Sequence, residues 1–216
     1  MAHSTQHLFV RGLTVGATAE YLAAETSRRQ PLHLAQGQLD ALCGVYALCT
    51  ALMLLKGYPR ARALRLTRAS AGPFAAMWKQ ARELAFVGST PADLVELLRA
   101  ADLGLQTQVL TTARADRIAA EAKRAIDAGA VPLLEFESSS WAHWCLVAGC
   151  ELQGGPAVRA LLTLDPDRRA PELAAFNGRV EIERRGTRRL VYRALGRTPV
   201  AVRPRSLLVI ARAPPG

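Results

Sequence analysis

Few residues in this 216-residue chain have both the type and the placement for covalent chemistry. Cys43 lies in Gln36-Gly37-Gln38-Leu39-Asp40-Ala41-Leu42-Cys43-Gly44, a loop that feeds a run with apolar residues at helical spacing. Ala47, Leu48, Ala51, Leu52 and Leu55 form one face, and Cys49, Met53 and Leu54 make the rest apolar too, as in a buried helix. Cys43 is thus expected in the first turn of a helix over 43–56. There, unpaired N–H groups and the positive end of the helix dipole favour thiolate over thiol. A thiolate nucleophile needs a base, and the base needs an orienting group.

Only one histidine lies beyond residue 33, and it is His143, in Trp141-Ala142-His143-Trp144-Cys145 at the start of an apolar strand. Asp165 ends the next strand, Leu161-Leu162-Thr163-Leu164-Asp165-Pro166, where an acid needs a partner. Gln153-Gly154-Gly155-Pro156 marks a turn between the two strands. A hairpin centred on Gly154 sets His143 directly opposite Asp165, within reach of a carboxylate–imidazole hydrogen bond. A glutamine upstream of Cys43 could join the Cys43 N–H in holding an oxyanion, and Gln36 and Gln38 are both candidates. Cys49 reads as core. His3, His7 and His33 read as solvated or capping residues, without metal-ligand spacing.

The elements that must position these residues fall into two halves. Residues 1–30 read as an N-terminal extension, with a short helix at 21–27. Helices are expected over 43–56, 60–68, 74–86, from Thr90-Pro91 to about 102, and over 114–128; a strand is expected at 105–111. Strands are expected at 131–137, 142–152, 157–165, 179–184, 188–194 and 207–212. The expected fold class is α+β: a helical front half, with the cysteine on a central buried helix, packed on a C-terminal antiparallel β-sheet. Residues 31–216 form a single domain in this reading.

In order, Gln36, Cys43-Gly44, His143-Trp144 and Asp165-Pro166 resemble the papain-like cysteine peptidases, in particular compact bacterial members similar to the double-glycine leader peptidases. The resemblance covers roughly 32–212. It implies a thiolate–imidazolium pair of Cys43 and His143, with Asp165 holding the ring and no cofactor or metal. The family's glutamine stands six residues before its cysteine, whereas Gln36 stands seven before and Gln38 five before; Gln36 is preferred, with Gln38 as the alternate. Gly44, Trp141 and Trp144 are the expected substrate-contacting residues, and Tyr46 is a further aromatic that could line a cleft.

Composition narrows the partners. The formal net charge is +10, and 12 arginines face 5 acids between Arg159 and Arg205. That balance suits an acidic protein or peptide substrate, or else reflects a bias toward arginine on solvated faces. No run of aromatics accompanies it, so no specific nucleic-acid partner is expected. Four cysteines without regular spacing suggest a reducing, cytoplasmic setting, and no stretch is long enough for a membrane span. The same triad would also serve a deamidase, a transglutaminase or an acyltransferase. A non-catalytic module for an acidic partner is a further alternative. A metal site of His143, Cys145 and Cys150 is disfavoured, because Cys150 falls on the opposite strand face.

Overall fold

A computed structural model describes residues 5–37, 40–112, 114–182, 190–194 and 196–213. The chain begins with four short strands, β1 (Thr5–Phe9), β2 (Leu13–Val15), β3 (Ala19–Ala23) and β4 (Arg28–Pro31). Helices α1 (Cys43–Lys56), α2 (Arg60–Leu64), α3 (Gly72–Ala81) and α4 (Pro91–Ala101) follow, then β5 (Leu105–Thr111) and helix α5 (Ala115–Asp127). The remainder is all strand: β6 (Val131–Glu137), β7 (Ala142–Gln153), β8 (Val158–Leu164), β9 (Gly178–Ile182), β10 (Leu190–Ala194) and β11 (Val200–Arg212).

Local chemistry explains the helices. Eleven of the 14 residues of α1 are buried, as its apolar circumference requires, and Gly57 ends it in the left-handed conformation at φ 67°. Thr90 and Asp93 close a reciprocal capping box at the start of α4, with Pro91 in the first turn. Among the described residues no helix is long and apolar enough to cross a membrane.

The expected open sheet under a helical front half is corrected. Strands β6 to β11 pair antiparallel in succession, and β11 returns to β6, so six strands close a barrel. Closure depends on β11, which is longer than its expected span of 207–212. Its first residues, Val200–Val202, pair with β10, while Arg203–Ile210 pair with β6. A register shift between Pro204 and Ser206 bends it. Proline is tolerated at such a bulge, and a bulge turns a strand from one neighbour to another. Beyond β10 on the same edge, β5 extends the sheet by pairing with Ser206–Arg212.

The helix expected at 21–27 within the N-terminal extension does not form, and the extension is built of strands. β1 runs antiparallel to β7, from Thr5 opposite Gln153 to Phe9 opposite Gly149. Around Tyr21 the burial alternates, with Ala19, Tyr21 and Ala23 inside, which is the period of a strand; β2, β3 and β4 form a small sheet of their own. Helix α1 packs on β7, β6 and β11. Helix α5 touches β6, β7, β8, β9 and β11 with its Ala/Ile face. A helix on the outer wall would reach only adjacent strands, so α5 closes one end of the barrel.

The pairing of β1 with β7 depends on Gly149, where a Cβ would lie 2.5 Å from the Leu8 carbonyl oxygen and 2.7 Å from the Phe9 ring. Gly149→Ala is expected to lower unfolding free energy by about 1–3 kcal/mol, as overpacking does. Urea denaturation measures it, and hydrogen exchange should show loss of protection at β1 before the rest of the barrel.

Candidate active site

Three segments converge at one end of the barrel: the loop entering α1, the start of β7 and the corner after β8. The His33 ring donates from Nε2 to the Asp165 carbonyl (2.9 Å), since a carbonyl can only accept. The Gln36 N–H donates to the Pro166 carbonyl (2.8 Å). These two bonds fasten the loop before Cys43 to the corner that carries Asp165. His33, expected to be solvated or capping, is instead buried at 4% exposure; burial, the largest effect on its titration, pushes its pKa down and keeps it neutral.

His143 Nε2 donates to Asp165 Oδ1 at 2.7 Å. The Cys43 thiol neighbours the same ring, close enough to favour its charged form. With Nε2 committed to Asp165, Nδ1 is the nitrogen left for Cys43. Burial disfavours the imidazolium, but the hydrogen bond and charge of Asp165, and the contact with Cys43, outweigh it and raise the His143 pKa to about 10.

The expected hairpin forms, with a different register. Near the site Leu146 faces Leu164 and Val147 faces Thr163. That is two residues from the expected alignment and places Cys145, not His143, across from Asp165. A shift of two preserves the face of every side chain. His143 and Asp165 therefore meet as a diagonal pair, bridged by their side-chain lengths.

Asp165 is fully buried. Burial pushes its pKa up, but bonds from His143, Tyr192 and the Asp167 N–H hold it below the usual carboxylate range. Tyr192 donates to Oδ2, and the Asp167 N–H to Oδ1 at 2.8 Å. Asn177 grips the Asp165 backbone from both sides, accepting from its N–H (2.7 Å) and donating to its carbonyl (2.9 Å). Neither Tyr192 nor Asn177 was singled out from the sequence. The one signal for Tyr192 is its inward alternation with Leu190 and Ala194 on β10; Asn177 sits in a loop with no pattern.

The other expected residues divide. Trp141 is 38% exposed and stands edge-on to His143 and Phe136, with centroids 6.2 and 5.8 Å away. Trp144 is buried at 2%, its indole N–H bonded to the Ser89 carbonyl (2.9 Å), so it supports the site from within and offers no face to a substrate. Gly44 is buried too. A Cβ there would lie 2.2 Å from Ser89 Oγ and 3.2 Å from Trp144 Cδ1, so its role is close packing of the helix tip. Tyr46 is partly buried and lines a small apolar pocket of about 110 Å³ with Leu34, Leu42 and Trp78. Gln36 donates its side-chain amide to the Asp40 carbonyl (2.6 Å), which spends one of its two N–H groups. Gln38 lies outside the described residues. At the N-terminus of α1 the Leu42 N–H donates to Asp40 Oδ1 (3.1 Å), and among the described residues no side chain caps the first turn beyond it, so the N–H groups beside Cys43 can meet an anion.

All four cysteines are buried, Cys43 at 8% exposure; burial raises the Cys49, Cys145 and Cys150 thiols, Cys49 and Cys150 to about 12. Among the described residues no group of three or more His, Cys, Asp or Glu side chains could hold a metal ion. No family model matches the chain, and no curated protein matches it.

Tyr192→Phe removes a hydrogen bond to a buried charge and is expected to cost about 1.5–3 kcal/mol at neutral pH. The Asp165 pKa is lowered by folding, so its stabilisation is present above the unfolded carboxylate pKa and lost as pH falls through the folded value. The stability gap between parent and variant should therefore close on acidification. Denaturation midpoints across acid pH check this, and a gap independent of pH would contradict it.

Proposed function

We propose that the protein is a thiol hydrolase that cleaves a peptide or isopeptide bond through Cys43, His143 and Asp165. The single observation that carries the reading is a solvent-edge histidine, held on one nitrogen by a buried carboxylate and neighboured by a helix-tip cysteine. No simple packing requirement explains a buried acid, an imidazole and a thiol in that order, whereas nucleophilic catalysis needs it.

In this mechanism the proton of Cys43 resides on His143, and the thiolate attacks the substrate carbonyl carbon. The resulting oxyanion meets the uncapped N–H groups at the tip of α1, with Gln36 close by on the same loop. As the carbonyl re-forms, the bond to the leaving amine breaks and His143 passes its proton to that amine. Water, deprotonated by His143, then attacks the thioester and releases the acyl group and Cys43. Asp165 keeps the ring oriented and balances its positive charge throughout.

Iodoacetamide labelling with mass-spectrometric mapping tests the reading. Cys43 should be the one fast-reacting thiol near neutral pH, since burial raises the other three. His143→Ala should slow that reaction, and peptide hydrolysis should fall by roughly 10²–10⁴-fold, the usual worth of a general acid–base. Equal reactivity at all four thiols would refute the reading. Because the pKa of His143 is raised by its partners, its proton is present at neutral pH and lost as pH rises through about 10. Hydrolysis should therefore decline on that alkaline limb, and Asp165→Asn should move the limb to lower pH.

A further inference from the structure

Two hollows adjoin at the site end of the barrel, and the smaller borders His143. One, of about 510 Å³, is bordered by Trp141, His143, Tyr192 and Thr198. The other, of about 940 Å³, runs on past Arg169 and Phe176. They share Asp167, Arg168, Ala194 and Arg197, so together they form one groove that starts at the imidazole. The walls of the larger part carry five arginines, Arg168, Arg169, Arg179, Arg193 and Arg197, against Asp167 and Glu172.

Those arginines are not equivalent. Arg179 is bound to Glu151 (2.8 Å) and Glu181, and Arg193 to Glu181 (2.9 Å), so their charge is spent within the barrel wall. Arg168 leans on Asp167 (3.2 Å) and Asp165 (3.7 Å). Arg169 and Arg197 are exposed, and neither makes an ion pair among the described residues. Two uncompensated guanidinium groups thus face a groove that opens on the site. An Arg fork matches a carboxylate in two parallel hydrogen bonds.

The side on which the groove lies assigns the part of the substrate it would hold. It borders His143 and not Cys43, and His143 is the group that hands a proton to the departing amine. In a peptide, that amine begins the segment C-terminal to the cleaved bond. We propose, resting on the thiol-hydrolase reading above, that this groove binds an acidic peptide segment immediately C-terminal to the scissile bond, with Arg169 and Arg197 receiving its carboxylates. A continuous phosphodiester backbone fits less well, because Asp167 and Glu172 interrupt the basic wall.

The test uses the full chain as the Cys43→Ser variant, which binds without turning over. Fluorescence anisotropy at low salt compares a Glu-rich peptide, a Gly/Ser peptide of equal length and an oligonucleotide of equal charge. The Glu-rich peptide should bind about tenfold or more tightly than the Gly/Ser peptide, and salt should erase the difference. Adding Arg169→Glu and Arg197→Glu, both on exposed side chains, should abolish the preference. The same two changes in the active chain should leave the Cys43 alkylation rate unchanged. In cleavage assays, acids placed C-terminal to the bond should lower KM, and acids placed N-terminal to it should not. Equal affinity for the two peptides, a preference that survives charge reversal, or tighter binding of the oligonucleotide would each overturn the groove assignment. An inert Cys43 would instead overturn the hydrolase reading on which it rests, so the two failures are separable.

Discussion

A fully buried carboxylate governs the arrangement of this protein. Removing an ion such as Asp165 from water costs several kcal/mol even after relaxation. Three bonds answer that cost, from His143, from Tyr192 and from the Asp167 N–H, at about 1.5–3 kcal/mol each for donors to a charge. The two sides are of comparable size, the Arg168 guanidinium 3.7 Å away adds a charged neighbour, and each of the three donors comes from a different element. β7 supplies the imidazole, β10 the phenol and the corner after β8 the amide. Asn177 and His33 hold the backbone of Asp165 itself. The carboxylate thus ties the barrel to the loop before α1, and the imidazole it fixes is the one beside Cys43.

Barrel closure is what makes those donors available. Tyr192 lies on β10, which is two strands from β8 around the barrel. In an open sheet ending at β10, that phenol could swing away from the site; in the closed barrel, β11 pins β10 from the other side. Phe136 completes the brace, with its ring 5.1 Å from Tyr192 and 5.8 Å from His143. The site is therefore a property of the whole ring of strands, and no hairpin on its own would reproduce it.

What could be read from the sequence follows from how local each feature is. The extent of α1, the cap of α4 at Thr90, and β5 and β6 rest on residues within a turn or a pleat of one another, and their patterns are plain in the chain. The pairing of His143 with Asp165 was legible because both flank one tight turn. Its register differs by two residues because the turn centres on Gly155 and not on Gly154: Leu152 already faces Val158, and the irregularities at Glu151/Leu152 and Val147/Gly149 cancel before Leu146 meets Leu164. The misreading left the contact intact, because an even shift keeps both side chains on one face. The barrel was hidden by Pro204 and the arginines around it, which make the first half of β11 look like a loop. Residues 19–23 alternate too briefly to outweigh an apparent helix. Asn177 acts through its side chain on backbone atoms twelve positions away, and no periodicity reports such a bond.

The excess of arginine shows the same division between local pattern and fold. Counted along the chain, the basic stretch after Arg159 is a single feature; among the described residues its arginines differ in whether they have a partner. Arg159, Arg179, Arg193 and Arg205 sit on barrel strands opposite Glu151, Glu181, Glu135 and Glu137, where alternate positions face the same side and cross-strand pairs neutralise them. Arg169 and Arg197 lie in the connections between strands, where no ladder of acids runs beside them. Among the described residues, strand pairing thus neutralises Arg159, Arg179, Arg193 and Arg205, and the loops at the site end of the barrel leave Arg169 and Arg197 exposed and unpaired. Net charge alone cannot distinguish a wall from a binding surface; the pairing of strands does, because it decides which guanidinium groups already have a carboxylate.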